Sequence, residues 1–223
     1  MELYLITGFL GAGKTTFLKN FARQFAGRRL RLIINEFGRV GVDGTLLREL
    51  DAALDEISNG SIFCACRLDQ FEAALEQAAA DAPDVALVEA SGLADPTNVR
   101  RVLAQFPAVS YQGSVCVADA ARLEKVFSTA RACPRQLAVS SLVLLNKTDL
   151  ATEAQCAEAK ALILRANPAA RIRRTQFGRF EPEWLSLIVP DVDVDEVLDM
   201  PDITLQKAVL QIRPTMPFTA LQK

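Results

Sequence analysis

Residues 8–15 read G-F-L-G-A-G-K-T, which fits the spacing G-x-x-x-x-G-K-[ST]. That spacing suits chemistry on a string of phosphates. Glycines at 8 and 13 let backbone N–H groups turn inward without Cβ clashes. A helix opening at Lys14 adds the positive end of its dipole. Lys14 is placed to reach the β- and γ-phosphates, and Thr15 to offer its hydroxyl to Mg²⁺. Position 9 is Phe rather than Lys, so the loop variant with an extra early lysine is absent.

Residues 146–149, N-K-T-D, follow the apolar run S-L-V-L-L. A carboxylate at Asp149 can accept from guanine N1–H and the exocyclic amine, a donor pair that adenine lacks. Asn146 would tie neighbouring loops together, and the Lys147 stem would cover the base. Residues 89–92, E-A-S-G, end another apolar run, V-A-L-V. Glu89 there can hold Mg²⁺ directly or through water. The Gly92 N–H can sense a γ-phosphate and move when it leaves. Residues 35–43, N-E-F-G-R-V-G-V-D, place Glu36 and Asp43 toward the nucleotide or its metal on a glycine-rich, switch-like stretch. Residues 59–66, N-G-S-I-F-C-A-C, put Cys64 and Cys66 one residue apart. The pair admits three readings: metal ligands, a redox couple, or small apolar side chains. Two thiolates are too few for a closed tetrahedral site unless Glu36, Asp43 or a second chain contributes.

Elements that could position these residues recur along the chain. Apolar runs at 3–7, 30–35, 85–90, 114–119 and 141–146 read as strands, with a sixth at 171–175. Amphipathic stretches at 14–26, 68–80, 96–105, 120–131, 152–166 and 181–189 read as helices, and Thr152 is a candidate N-cap. Residues 36–66 read as loop with one short helix around Leu46, Leu47 and Leu50. Strands apolar on both faces, alternating with helices, predict a doubly wound α/β domain with a mainly parallel sheet over residues 1–190. Residues 191–202 read as an acidic linker, and 203–223 as a C-terminal strand or stub.

Composition narrows the partners. Lys and Arg number 25 against 27 Asp and Glu, a net charge of −2 that disfavours nucleic acid. Local basic clusters at Arg28, Arg29 and Arg31, at Arg100 and Arg101, and at Arg171, Arg173 and Arg174 read as solvated faces. There is no histidine, so a metal must use Cys, Asp, Glu or backbone oxygen. Five cysteines form no disulfide framework, no apolar run suits a bilayer, and no leader is evident, which predicts a cytoplasmic protein without membrane contact.

The motifs G-F-L-G-A-G-K-T-T, N-E-F-G-R-V-G-V-D, E-A-S-G-L-A-D-P and N-K-T-D, in this order, resemble the CobW-type GTPases, relatives of the HypB and UreG metallochaperones. The resemblance covers about residues 1–180 and implies a P-loop NTPase. It implies slow Mg²⁺-dependent hydrolysis of GTP to GDP, dimerisation with nucleotide, and delivery of a metal, or loading of a metal or corrinoid cofactor, to a client enzyme. By this likeness Gly11, Gly13, Lys14, Thr15 and Thr16 hold phosphate and Mg²⁺, in one loop with Gly8 and Ala12. Glu36, Asp43 and Glu89 line the switch and metal region, where with Lys14 they are the catalytic candidates. Asn146, Lys147 and Asp149 read guanine.

The family's N-G-C-x-C-C motif is altered here. Asn59 and Gly60 match, but Ser61, Phe63 and Cys64 occupy the three cysteine positions, and Cys66 is additional. The cargo, Zn²⁺ or Co²⁺, would then meet Cys64 and Cys66. The alternative is a GTP-gated protein-interaction switch without metal cargo.

Overall fold

A computed structural model of the protein describes residues 1–35, 50, 52–57 and 68–190. Glu36, Asp43, Cys64, Cys66, the helix expected near 46–50, the linker at 191–202 and the element at 203–223 lie outside the described residues, Leu50 excepted.

Seven strands form one sheet among the described residues, in the order β3-β2-β4-β1-β5-β6-β7. They are β1 (Glu2–Thr7), β2 (Leu30–Asn35), β3 (Ala52–Ile57), β4 (Val85–Glu89), β5 (Ser110–Asp119), β6 (Leu142–Asn146) and β7 (Arg171–Arg174). Every neighbouring pair is parallel. The helices are α1 (Lys14–Ala22), α2 (Leu68–Asp81), α3 (Val99–Leu103), α4 (Leu123–Thr129), α5 (Ala132–Ala138) and α6 (Glu153–Ala166). Thr152 caps α6 in a reciprocal box with Gln155: its hydroxyl accepts from Gln155 N at 3.2 Å, and Gln155 Oε1 accepts from Thr152 N at 2.9 Å.

Alternation along the strands divides the core. Tyr4, Ile6, Leu32, Ile34, Leu87, Val117, Leu142 and Leu144 pack on one face with Phe17 and Phe21 of α1, and with Phe180. Leu3, Leu5, Ala86 and Val88 pack on the other with Phe71 and Leu75 of α2. Further along that face, Val143 and Leu145 meet Leu137 and Ile163. The sheet is thus covered on both sides, as parallel strands require. Its strand order reverses around β1, where such sheets open a crevice at the carboxyl ends of the strands.

Four features depart from the sequence reading. Residues 52–57 are a strand, not loop. A-A-L-D-E-I lacks a β-branched run and carries two acids, so it reads poorly as sheet. What holds it is tertiary: Arg31 donates to Asp55 through Nε at 2.6 Å and Nη2 at 2.9 Å, and also pairs with Asp81 of α2. Arg31, expected on a solvated face, is only 6% exposed. Its cluster mates are paired too, Arg28 with Glu2 and Arg29 with Asp84. The stretch expected as one helix over 120–131 ends at Thr129, because Ala130 is extended at φ −125° and ψ 108°. A separate helix, α5, follows; Pro134 sits in its first turn, where no intrahelical N–H is needed. The last helix expected, 181–189, is a 3₁₀ segment over Pro182–Leu187.

Candidate nucleotide and metal site

The loop from Gly8 to Gly13 joins β1 to α1 at the carboxyl edge of the sheet. Gly13 caps α1 with φ 102°, and a Cβ there would stand 2.6 Å from Asn146 Nδ2. Only glycine admits both that backbone and that neighbour. No acidic residue lies in the first turn of α1, so the positive end of the helix is not neutralised by its own side chains. Lys14 is 5% exposed. Its ammonium reaches the Phe9 carbonyl at 3.5 Å, the outer limit of a hydrogen bond. Thr16 is exposed beside it, and Thr15 is half-buried.

Glu89 closes β4, which pairs directly with β1. It is fully buried, and Thr15 Oγ1 donates to its Oε1 at 3.3 Å. A hydroxyl and a carboxylate this close, both hard oxygen donors, fit a Mg²⁺ ion. Gly92, two residues past Ala90, presses on the phosphate loop: a Cβ would fall 2.7 Å from Leu10 N. Gln136 of α5, 1% exposed, holds this segment by donating to Gly92 O at 3.2 Å and Ala94 O at 2.9 Å. Arg135 of the same helix pairs with Asp95. These anchors had no sequence signal, because they lie on a helix the pattern did not reveal.

Asn146 joins three segments. Its Nδ2 donates to Ala12 O at 2.9 Å, and its Oδ1 accepts from Gly178 N at 3.1 Å. Lys147 adopts a left-handed backbone, φ 59° and ψ 36°. Its ammonium donates to Gly11 O at 2.6 Å and to Asp119 Oδ2 at 2.8 Å. Asp149 lies exposed in a 3₁₀ turn over Thr148–Leu150. Thr148 ties that turn to Thr175 O through its N–H at 3.3 Å and its hydroxyl at 3.1 Å. Asp119 and the turn at 175–179 were missed by motif reading. For Asp119 a signal existed: an acid ending an apolar strand at the edge where the sheet's order reverses.

The structure therefore gathers Gly8, Gly11, Ala12, Gly13, Lys14, Thr15, Thr16, Glu89, Gly92, Asn146, Lys147 and Asp149 along one edge of the sheet. Among the described residues no group of three or more Cys, Asp or Glu side chains could hold a further metal. Cys116, Cys133 and Cys156 are free thiols in the core. Burial pushes the Cys116 thiol up to about 12, against smaller opposing effects of the Thr7 hydrogen bond and the Lys14 charge. Burial likewise raises Cys133. Both are held protonated in the folded chain; for Cys116 the fold carries no penalty below the ordinary thiol range near 9.0 and loses stability as pH rises from there through about 12. In native protein at pH 8, iodoacetamide should leave both unlabelled, and in urea it should label both, as read by peptide mass spectrometry. Labelling of either in the folded chain would contradict this burial.

Residues 2–174 match the family model described as the CobW/HypB/UreG nucleotide-binding domain. The zinc chaperone CobW of Pseudomonas aeruginosa is 32% identical over 206 residues, covering 76% of this chain and 55% of the relative. The zinc chaperone YjiA of Escherichia coli is 26% identical over 226 residues, covering 97% of this chain and 66% of the relative. The chain thus spans between about half and two thirds of these relatives' length. A crystal structure of zinc-bound YjiA GTPase from E. coli shares the fold, with a TM-score of 0.62 at 22% identity, over 99% of this chain and 68% of that one. Among the described residues no helix is long and apolar enough to cross a membrane. With the phosphate loop, the buried acid beside Thr15 and the N-K-T-D turn on one sheet edge, and the family model matched over 2–174, the chain belongs to the CobW/HypB/UreG family.

Proposed function

We propose that this chain binds Mg²⁺-GTP, hydrolyses it slowly to GDP and phosphate, and couples that cycle to handling of zinc for a client metalloenzyme. The observation that carries the reading is the Asn146 side chain, which clamps the phosphate loop at Ala12 to the turn bearing Gly178, beside Asp149. A phosphate site and a guanine-reading site are thereby held at a fixed separation, as one ligand with both parts requires.

In this reading backbone N–H groups of the loop and the Lys14 ammonium hold the β- and γ-phosphates. Thr15 and Glu89 hold Mg²⁺, which supplies positive charge where the γ-phosphoryl group builds negative charge. Lys147 lies along the base, its ammonium fixed on Gly11 O and Asp119. The Gly92 N–H reports the γ-phosphate, and its contact with Leu10 transmits loop movement to residues 91–95. Glu36 and Asp43 enter the catalytic set by their place in the sequence after β2.

Relatives named zinc chaperones, and a "Zinc-regulated GTPase metalloprotein activator 1" of Schizosaccharomyces pombe, support zinc over Co²⁺ as cargo. Cys64 and Cys66 are the proposed thiolate ligands, completed by Glu36, Asp43 or a second copy in a nucleotide-dependent homodimer. The client is a zinc enzyme or, more broadly, an enzyme with a metal or corrinoid cofactor. The free thiols of the core suit a cytoplasmic site of action. A second reading, a GTP-gated interaction switch without cargo, draws on Ser61 and Phe63 standing where the family has cysteine.

Zinc titration against a chromophoric chelator, with GDP and with a non-hydrolysable GTP analogue, separates the two. One tight site whose affinity depends on the nucleotide, lost in Cys64→Ser with Cys66→Ser at unchanged GTP affinity, is expected. Absence of a zinc site in either state would leave the interaction switch.

A further inference from the structure

We propose that Phe177 is the stacking wall of the base site, its ring lying against the purine whose edge Asp149 reads. The proposal rests on the guanine-nucleotide reading above.

One exposed phenylalanine alone says little. Phe177 combines three features. The residue is 63% exposed. Its backbone is left-handed, φ 55°, a conformation rarely taken by bulky residues and one that persists only where the surroundings impose it. And those surroundings are the nucleotide site itself. Asn20 of α1 donates to Phe177 O at 3.1 Å and to Gly178 O at 2.9 Å. Asn146, the residue that holds the phosphate loop, accepts from Gly178 N. Thr175 accepts twice from Thr148, next to Asp149.

Close packing and hydrogen bonds hold the turn in this position. A Cβ on Gly178 would meet Phe17 N at 2.7 Å, so the chain is pressed on the first turn of α1. Thr175 Oγ1 donates to Arg179 O at 2.8 Å, closing the turn. Phe180 then plunges into the core, 4.8 Å from Phe21 by ring centroids. The clamp buries one aromatic ring and holds the other out at the rim. A purine needs apolar surface on its faces as well as hydrogen bonds on its edge. Lys147 would offer its stem to one face, and Phe177 its ring to the other.

The test is equilibrium binding of GDP, inosine diphosphate, ADP and inorganic tripolyphosphate. Phe177→Ala should weaken GDP and inosine diphosphate by the same factor, about tenfold, because stacking ignores edge groups. Tripolyphosphate affinity should not change, and Phe177→Tyr should restore GDP binding. In a Trp184→Phe background, Phe177→Trp should be quenched by GDP and not by tripolyphosphate. GDP affinity unchanged in Phe177→Ala overturns the proposal. So does equal weakening of tripolyphosphate, which would mark a purely structural role. So does loss of GDP affinity on Leu150→Ala in place of Phe177→Ala, Leu150 being an exposed apolar side chain on the turn that carries Asp149. A wild-type chain with no preference for GDP over ADP would instead remove the guanine reading beneath it.

Discussion

Asp149→Asn should move the nucleotide preference from GTP to xanthosine triphosphate. The carboxylate of Asp149 is exposed at the sheet edge, on a turn held by Thr148 and by the flanking Lys147. Facing guanine it would accept two hydrogen bonds, from N1–H and the exocyclic amine. An amide replaces one acceptor with a donor, so guanine's amine would face a donor and lose its partner. Xanthine carries a carbonyl oxygen where guanine has that amine, and the new donor meets it. A site built to hydrogen-bond one partner rejects the unpaired analogue by on the order of 10³–10⁴. Competition of both nucleotides against a fluorescent GDP analogue measures the exchange. A variant that keeps its GTP preference would place guanine recognition elsewhere.

The second large effect is at Lys14. Lys14→Ala should lower GTP hydrolysis by on the order of 10³-fold, about 4 kcal/mol of lost charge stabilisation. It should not lower the stability of the ligand-free chain. Lys14 places a positive charge in a nearly closed loop, 5% exposed, with a 3.5 Å contact to Phe9 O. A buried charge so weakly compensated costs stability until an anion arrives. Removing it therefore relieves the empty loop and disables the loaded one. Phosphate release and thermal melting, measured on the same preparation with and without GTP, read both halves. Without nucleotide the Lys14→Ala chain should melt no lower than wild type, and only wild type should gain stability with it. A variant that hydrolyses GTP normally would remove Lys14 from the phosphate site.

How far the sequence could be read follows from what specifies each part. The loop at 8–15 and the turn at 146–149 are contiguous, so spacing alone shows them. Apolar runs such as L-V-L-L-N are buried on both faces and read as strands without their neighbours. By contrast β3 is held by Arg31, Asp55 and Asp81, residues from three separate elements, and none of the three marks a strand alone. Gln136 and Arg135 act on residues 92–95 from a short helix that no apolar pattern marked. Asn146 was legible as a tie between loops, but not its partner at Gly178, which long-range packing brings close. Phe177 shows the same limit: the turn that carries it is held by Asn20 and, through Gly178, by Asn146, both distant in sequence.

The most direct test of the central claim is phosphate release from GTP and from ATP, each with Mg²⁺ and with EDTA, using purified chain. The account predicts slow release from GTP that needs Mg²⁺, with ATP giving none above buffer. Release from ATP as fast as from GTP, or release from GTP undiminished by EDTA, would contradict it.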